Sequence, residues 1–212
     1  MSYDSILSEI SQHLHSPLPG AEAHQRMMSR EKFVLSPRAE VIPRQSAVLV
    51  LLYPHKNTLH IPLIQRPKYD GVHGGQMALP GGKMENEDES LIRTALREAQ
   101  EEIGIKTIDI SILGTLSQLY IPPSNFYVQP VVGYMPYRPD FFPDSREVDA
   151  IIEVPAKQLL ENASIEERVM EIRGKSFRTP GYAINNHWIW GATASMLAEF
   201  CDVLQRVTPS RL

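Results

Sequence analysis

The chain holds a single cysteine, Cys201, so no internal disulfide can form. Cys201 falls in an apolar helical pattern, which reads as a buried structural thiol rather than a nucleophile. No run of about 18 apolar residues occurs, so no transmembrane helix is expected. The opening MSYDSILSEISQHLH carries acids but no basic region. It does not read as a signal peptide, and a cytoplasmic protein is the default expectation. Excess charge is also scarce. The formal net charge is -4, which argues against general attraction to nucleic acid or a membrane. Any anionic ligand would have to be held by local Arg and Lys or by a metal. Internal repeats and low-complexity tracts are missing too, which excludes a solenoid or an extended disordered tract.

What is present suits one domain with additions: 212 residues, 42% of them hydrophobic. Asp4 can cap a helix carrying Ile6, Leu7, Ile10 and Leu14, ended by Ser16-Pro17-Leu18-Pro19-Gly20. Ala21 to Arg30 reads as a second short helix. His13, His15 and His24 form no metal-ligand pattern and read as surface residues. Ser46–Tyr53 and Thr58–Gln65 read as a hairpin about Pro54-His55-Lys56-Asn57. Further strands are expected over Met77–Leu79, Ile108–Tyr120, Phe126–Met135 and Asp149–Val154. A short helix follows at Pro155–Glu161, then a hairpin of Glu167–Arg173 with Ser176–Ile184. Trp188 to Val207 reads as the last helix. This order predicts a mixed sheet between helices, an α/β/α sandwich. Residues 1–40 form an added N-terminal helical arm packed on a domain spanning 41–212.

The chemistry concentrates in Gly81–Ile105, GGKMENEDESLIRTALREAQEEIGI. On a helix over Leu91–Ile103, Ile92, Leu96, Ala99 and Ile103 share an apolar arc, while Glu98, Glu101 and Glu102 share another. Like charges at these spacings cost a helix roughly 0.2–0.5 kcal/mol per pair. They also stand at the end where the macrodipole disfavours anions. A hard divalent cation such as Mg2+ would neutralise them, and such cations also bind phosphates. A solvated acidic face is the plainer reading of three glutamates alone.

The turn Pro80-Gly81-Gly82 and the pair Arg97-Glu98 favour the metal reading. The stretch resembles the Nudix box: Gly, five residues, Glu, seven residues, Arg-Glu, an aliphatic, any residue, Glu-Glu, any residue, Gly, an aliphatic. Glu89, Arg97, Glu98, Glu101, Glu102, Gly104 and Ile105 match in spacing, with Ala99 at the first aliphatic place. The departure is in the loop, where six residues rather than five separate Gly82 from Glu89. The resemblance implies a Nudix-type α/β/α sandwich and Mg2+- or Mn2+-assisted hydrolysis of a nucleoside diphosphate derivative. It implies Glu98 as base or bridging ligand, with Glu101, Glu102 and the Gly81 carbonyl as further metal ligands. Gly82, Glu89, Arg97 and Gly104 take structural roles, Arg97 tying the helix to the loop through Glu89. Glu147, in a loop before a strand, is the candidate second catalytic acid.

Upstream, LIQRPKYDGVHGGQMALPGG looks like the additional motif of the coenzyme A pyrophosphatase branch of that family. Arg66, His73, Gly75, Gln76, Pro80, Gly81 and Gly82 match in register. Pro67 replaces a Ser, and Asp70-Gly71 replaces a Leu-Arg pair. Ile121–Gly133 and Trp190-Gly191-Ala192-Thr193 are also similar to that branch, so the resemblance runs from about residue 40 to 205. It implies hydrolysis of coenzyme A or its derivatives to 3′,5′-ADP and 4′-phosphopantetheine. Arg66, Lys68, His73 and Gln76 are the candidate substrate contacts, the last two on a glycine-rich loop, Asp70–Gln76, able to close over a pyrophosphate. Within the same chemistry the alternatives are ADP-ribose, a nucleotide sugar or an oxidised nucleotide. Outside it stands a non-catalytic ligand sensor, which fits poorly with a box that keeps all its carboxylates. The expected partner is a small nucleotide, with no nucleic acid and no membrane; a homodimer is left open.

Overall fold

Strand β1 (Arg44–His55) is the longest strand among the described residues, and its aliphatic run reflects burial on both faces. In the computed structural model, which describes residues 3–29, 42–68, 74–161, 165–172 and 175–207, β1 is flanked by different partners along its length. Its end, Tyr53–His55, turns antiparallel onto β2 (Thr58–Gln65), the hairpin expected from the sequence. Its start, Ser46–Val48, pairs instead with β4 (Gly81–Lys83). On its other side β1 runs parallel to β7 (Phe126–Tyr134) over nine residue pairs, Arg44↔Phe126 to Leu52↔Tyr134.

Strands β3 (Met77–Ala78) and β8 (Ala150–Pro155) add to β2, while β5 (Ser111–Thr115) and β6 (Leu119–Ile121) add to β7, all antiparallel; the short helix α4 (Ala156–Leu159) follows β8. The result among the described residues is an eight-stranded mixed sheet. A separate three-stranded sheet comprises β9 (Ile165–Ile172), β10 (Lys175–Ile184) and β11 (His187–Trp190).

Alternation along β1 divides the core. Ala47, Leu49, Leu51 and Tyr53 face helix α3 (Leu91–Ile103), with Ala95, Ala99 and Ile103 packed above them. Val50 and Leu52 face the other way, toward α1 (Asp4–Leu14) and α5 (Gly191–Gln205), whose Ile6, Ile10, Leu197, Phe200 and Leu204 are buried there. This is the expected layering of helices on both faces of a mixed sheet.

Three local expectations need correction. Ile108–Tyr120 is not one strand: a 3-10 turn (Thr107–Asp109) precedes β5, and the register slips between Ile112 and Gly114. Leu116 still donates to the Pro130 carbonyl, but Pro130 has no N–H to return, and the ladder breaks before β6. The last helix starts at Gly191 rather than Trp188, because His187–Trp190 pairs with β10. Asp4 lies in the first turn of α1, with Tyr3 at the cap position.

His24, expected at the surface, is only 4% exposed. It lies in α2 (Ala21–Arg26), and its Nε2 is 2.9 Å from Glu199, a carboxylate of α5 with no exposed area. Glu199 also accepts from the Gly20 and Ser117 amides. Burial pushes the Glu199 pKa up, but the His24, Ser117 and Gly20 donors outweigh it and hold the carboxyl below its ordinary value. Cys201 is buried as expected, and burial pushes its thiol up to about 12. The turn between β9 and β10 lies outside the described residues, as does the Asp70–His73 part of the glycine-rich loop.

Candidate active site

Helix α3 is fixed at both ends. Ser90 caps its start by accepting from the Arg93 amide, and Gly104 ends it in the left-handed conformation at φ 69°. The segment after β7 then docks on this end: Phe142 and Asp144 donate through their amides to the Ile103 and Glu102 carbonyls. Glu147 follows within one turn, its amide bonded to the Asp144 carbonyl.

The three box glutamates do not share one environment. Side-chain exposure is 1% for Glu102, 14% for Glu98 and 59% for Glu101. The helix is rotated so that Ala95 and Ala99 are fully buried against the sheet while Ile92 and Leu96 are only partly buried, and Glu102 goes under with the alanines. The small alanines let α3 approach β4 closely.

Glu102 Oε2 accepts a 2.7 Å hydrogen bond from the Gly81 amide. Its Oε1 is 3.8 Å from Arg66, whose Nη2 also donates to the Gly81 carbonyl at 3.3 Å. Burial pushes the Glu102 pKa up to about 7, opposed by Arg66 and the Gly81 amide and reinforced by Glu98 and Glu147. Burial likewise raises Glu98, with Arg97 opposing and Glu101 and Glu147 adding to it. The Glu147 charge is thus felt by both glutamates, although Glu147 is exposed.

Gly81 and Gly82 make this contact possible by lacking side chains. Gly81 adopts φ +154°, and a Cβ there would lie 2.3 Å from the Ala47 carbonyl oxygen. A Cβ on Gly82 would lie 2.4 Å from the carboxyl carbon of Glu98. The Glu98 carboxylate therefore rests directly on the β4 backbone.

The helix-to-loop tie runs through Asp88, not Glu89. Arg97 grips Asp88 with two bonds, Nε to Oδ1 at 3.0 Å and Nη2 to Oδ2 at 2.9 Å. It also reaches Glu98, Glu101 and the Lys83 carbonyl. Asp88 accepts further from Thr94 and the Glu85 amide, and these donors, Arg97 foremost, hold its pKa well below the usual carboxylate range. Glu89 is exposed. Five residues separate Gly82 from Asp88, the spacing that the box has between its glycine and its acid.

Of the candidate substrate contacts, Arg66 is brought onto the carboxylate site. Its amide bonds the Gln76 carbonyl, and the Gly75 amide bonds the Pro67 carbonyl, closing the base of the loop. Lys68 is exposed beside Gly75. His73 lies outside the described residues. Arg66, Gly81 and Gly82 also form one wall of a cavity of about 1290 Å3, whose other walls include Val48, Phe126, Phe177, Trp188 and Trp190. Glu98 and Glu102 are not on that wall; the two regions meet at Arg66 and the two glycines. The Phe177 and Trp188 contribution was not visible in the sequence, since these residues follow Gly82 by about a hundred positions and carry no motif.

The oxygen donors at the site, the Glu98 and Glu102 carboxylates and the Gly81 carbonyl, are of the kind that a hard cation takes. Among the described residues no group of three acid, His or Cys side chains could hold an ion alone. Mg2+ typically takes one or two carboxylates and completes its shell with water and substrate phosphate. Two half-buried to buried carboxylates beside a glycine carbonyl suit that pattern.

The fold and this acid-lined helix define a hydrolase of phosphoanhydrides. The NUDIX domain model matches residues 43–172, and the chain belongs to the Nudix hydrolases, which act on nucleoside diphosphate derivatives. An uncharacterized Nudix hydrolase, NudL of Yersinia pestis (strain Pestoides F), is 34% identical over 75% of this chain and 79% of its own. The Nudix hydrolase RenU of M. smegmatis superposes with TM-score 0.47 at 20% identity, over 62% of this chain and 80% of its own. For the MutT protein of Methanosarcina mazei Go1 the TM-score is 0.48 at 20% identity, over 80% of this chain and 95% of its own. Among the described residues no helix is long and apolar enough to cross a membrane.

Proposed function

We propose that this Nudix hydrolase is a Mg2+- or Mn2+-dependent pyrophosphatase of coenzyme A or its derivatives, releasing 3′,5′-ADP and 4′-phosphopantetheine. The observation that carries the chemistry is the seating of Glu98 and Glu102 on the Gly81–Gly82 backbone, where the carboxylates adjoin a cavity large enough for an extended nucleotide. Glu98 and Glu102 with the Gly81 carbonyl, and Glu101 from the exposed side of the helix, would hold the cation. When bound, it neutralises charge on the phosphoryl oxygens and makes a coordinated water more acidic.

The protein's own groups do the rest. Glu98, seated against the Gly82 backbone, accepts the proton of the attacking water. Glu147 adds negative charge beside it and serves as the second acid. Arg66 fixes Glu102 and the Gly81 carbonyl and faces the cavity, where it meets a phosphate oxygen. Lys68, His73 and Gln76 supply further contacts from the adjoining loop. Residues 41–212 form the catalytic domain on which the arm of 1–40 packs, in a cytoplasmic enzyme.

Coenzyme A is favoured by the resemblance at Arg66, Gly75 and Gln76 and by the predominantly apolar, aromatic cavity, which suits the long pantetheine arm better than a second sugar. The test is a panel of coenzyme A, its thioesters, ADP-ribose, nucleotide sugars and oxidised nucleotides with Mg2+ or Mn2+, the products resolved by chromatography. Faster turnover of ADP-ribose than of every coenzyme A derivative overturns the substrate assignment. Turnover undiminished by exhaustive chelation overturns the metal assignment.

A further inference from the structure

Arg44 opens β1 at the rim of the cavity, and its side chain is held in place. The guanidinium carbon lies 4.1 Å from the centroid of the Phe126 ring. Its Nη2 donates to the Ser124 carbonyl at 3.1 Å, and its own amide donates to the Asn125 carbonyl at 3.0 Å. The turn that receives these bonds is itself braced: Asn125 is at φ 54°, and its side chain accepts from the Tyr120 hydroxyl at 2.9 Å. Among the described residues no carboxylate forms an ion pair with Arg44. An arginine fixed on an aromatic ring has lost rotamer freedom in advance, and its remaining N–H groups form a fork suited to phosphate.

The placement relative to the reaction site is set by the sheet. Arg44, Ser46 and Val48 alternate onto one face of β1. Ser46 and Val48 line the cavity, as do Ser124 and Phe126 beneath the guanidinium. Val48 pairs with Gly81, so Arg44 stands four residues of strand, roughly 13 Å, from the glycine that carries Glu102. That is about the length of one nucleoside plus the reach of an arginine. Lys83, exposed and paired with Ser46, puts a second positive charge on the same rim. Arg66, the cation at the other end, is already engaged with Glu102 and Gly81.

We infer that Arg44, seated on Phe126, binds a phosphomonoester carried by the nucleoside of the substrate, remote from the scissile pyrophosphate. The inference rests on the coenzyme A reading, which supplies such a group as the 3′-phosphate, and it names the residue that distinguishes coenzyme A from its dephospho form.

The experiment has a kinetic arm and a binding arm, run on the full chain and on Arg44→Gln. With Mg2+, wild type is expected to favour coenzyme A over 3′-dephospho-coenzyme A, and Arg44→Gln to lower that kcat/KM ratio by roughly tenfold or more, mainly through KM. By calorimetry, wild type is expected to bind 3′,5′-ADP more tightly than AMP, and Arg44→Gln to lose the difference. Equal losses on both substrates, or no loss on either, overturn the inference. Should neither coenzyme be hydrolysed while the 3′,5′-ADP preference persists and depends on Arg44, the subsite stands and the substrate reading falls. Wild type binding 3′,5′-ADP no more tightly than AMP overturns the subsite itself.

Discussion

Glu102 and Gly81, twenty-one positions apart, are joined by a 2.7 Å bond from the glycine amide to a carboxylate with 1% side-chain exposure. A glutamate so buried is an expensive way to hold a strand, because a neutral acceptor could take the same amide proton. Glu102→Gln keeps that acceptor and removes only the charge. Turnover with Mg2+ is expected to fall by about a hundredfold or more, as for loss of an essential electrostatic group. Melting temperature should stay the same or rise. Full activity of the variant at saturating metal would sink a metal role for Glu102.

The same burial makes a pH prediction for the protein without metal. The folded-state pKa of Glu102, about 7, lies above the ordinary 4.5. Between those values the unfolded chain has released a proton that the folded chain retains, so stability falls as pH rises through the interval and levels off above it. The loss is on the order of 3 kcal/mol if Glu102 titrates alone. Glu98 is shifted in the same direction and adds to it. In chelator, melting temperature should therefore decline from pH 5 to pH 8, more steeply in wild type than in Glu102→Gln. Saturating Mg2+ should flatten the decline. Parallel curves for the two proteins in chelator would show that Glu102 does not carry the shift.

Local patterns were readable where a local cause operates. The β1–β2 hairpin follows from two aliphatic runs about a turn, and α3 follows from its glutamate and aliphatic spacing. What stayed hidden depends on partners distant in sequence. His24 reads as a surface residue until Glu199, 175 positions away, closes over it. Trp188 and Trp190 continue a helical pattern until β10 offers them a strand to pair with. In the site, spacing located the carboxylates but not their inequality: Glu102 is buried and Glu101 exposed because Ala95 and Ala99 set the rotation of α3 against β4.

The exchange of Asp88 for Glu89 as the partner of Arg97 can be tested by paired substitution. Asp88→Ala removes the acceptor of two Arg97 bonds, the Thr94 hydroxyl and the Glu85 amide. A cost of about 2–4 kcal/mol is expected, since charged donors are left without their partner. Glu89→Gln should change stability by less than about 0.5 kcal/mol, as is usual for an exposed site. Because the folded-state pKa of Asp88 is depressed, its contribution is present above the ordinary carboxylate range and lost as pH falls toward the folded value. Denaturant titration at neutral and acid pH measures both effects. Equal costs for the two variants would return the tie to Glu89.

The two glycines of β4 should fail in different ways when given a methyl group. At Gly81 a Cβ meets backbone, the Ala47 carbonyl oxygen at 2.3 Å and the Val48 Cα at 2.5 Å, and φ +154° is strained for any other residue. Neither atom can move without disturbing the centre of the sheet, so Gly81→Ala is expected to lower the yield of folded protein or its melting temperature markedly. At Gly82 the obstruction is the carboxylate of Glu98, with its carbon at 2.4 Å and both oxygens at 2.5 Å. That is the far end of a flexible side chain, which can swing aside at small cost. Gly82→Ala should therefore fold with a melting temperature within a few degrees of wild type, on the scale of about 1 kcal/mol. Its Glu98 is displaced from β4, however, and kcat with Mg2+ should drop by roughly tenfold or more, as misplacement of a reacting group by about 1 Å can cost that much and more. Thermal melts and steady-state kinetics on the pair decide it. A Gly82→Ala protein with full activity would mean that the Glu98 position on the glycine backbone is not used in catalysis.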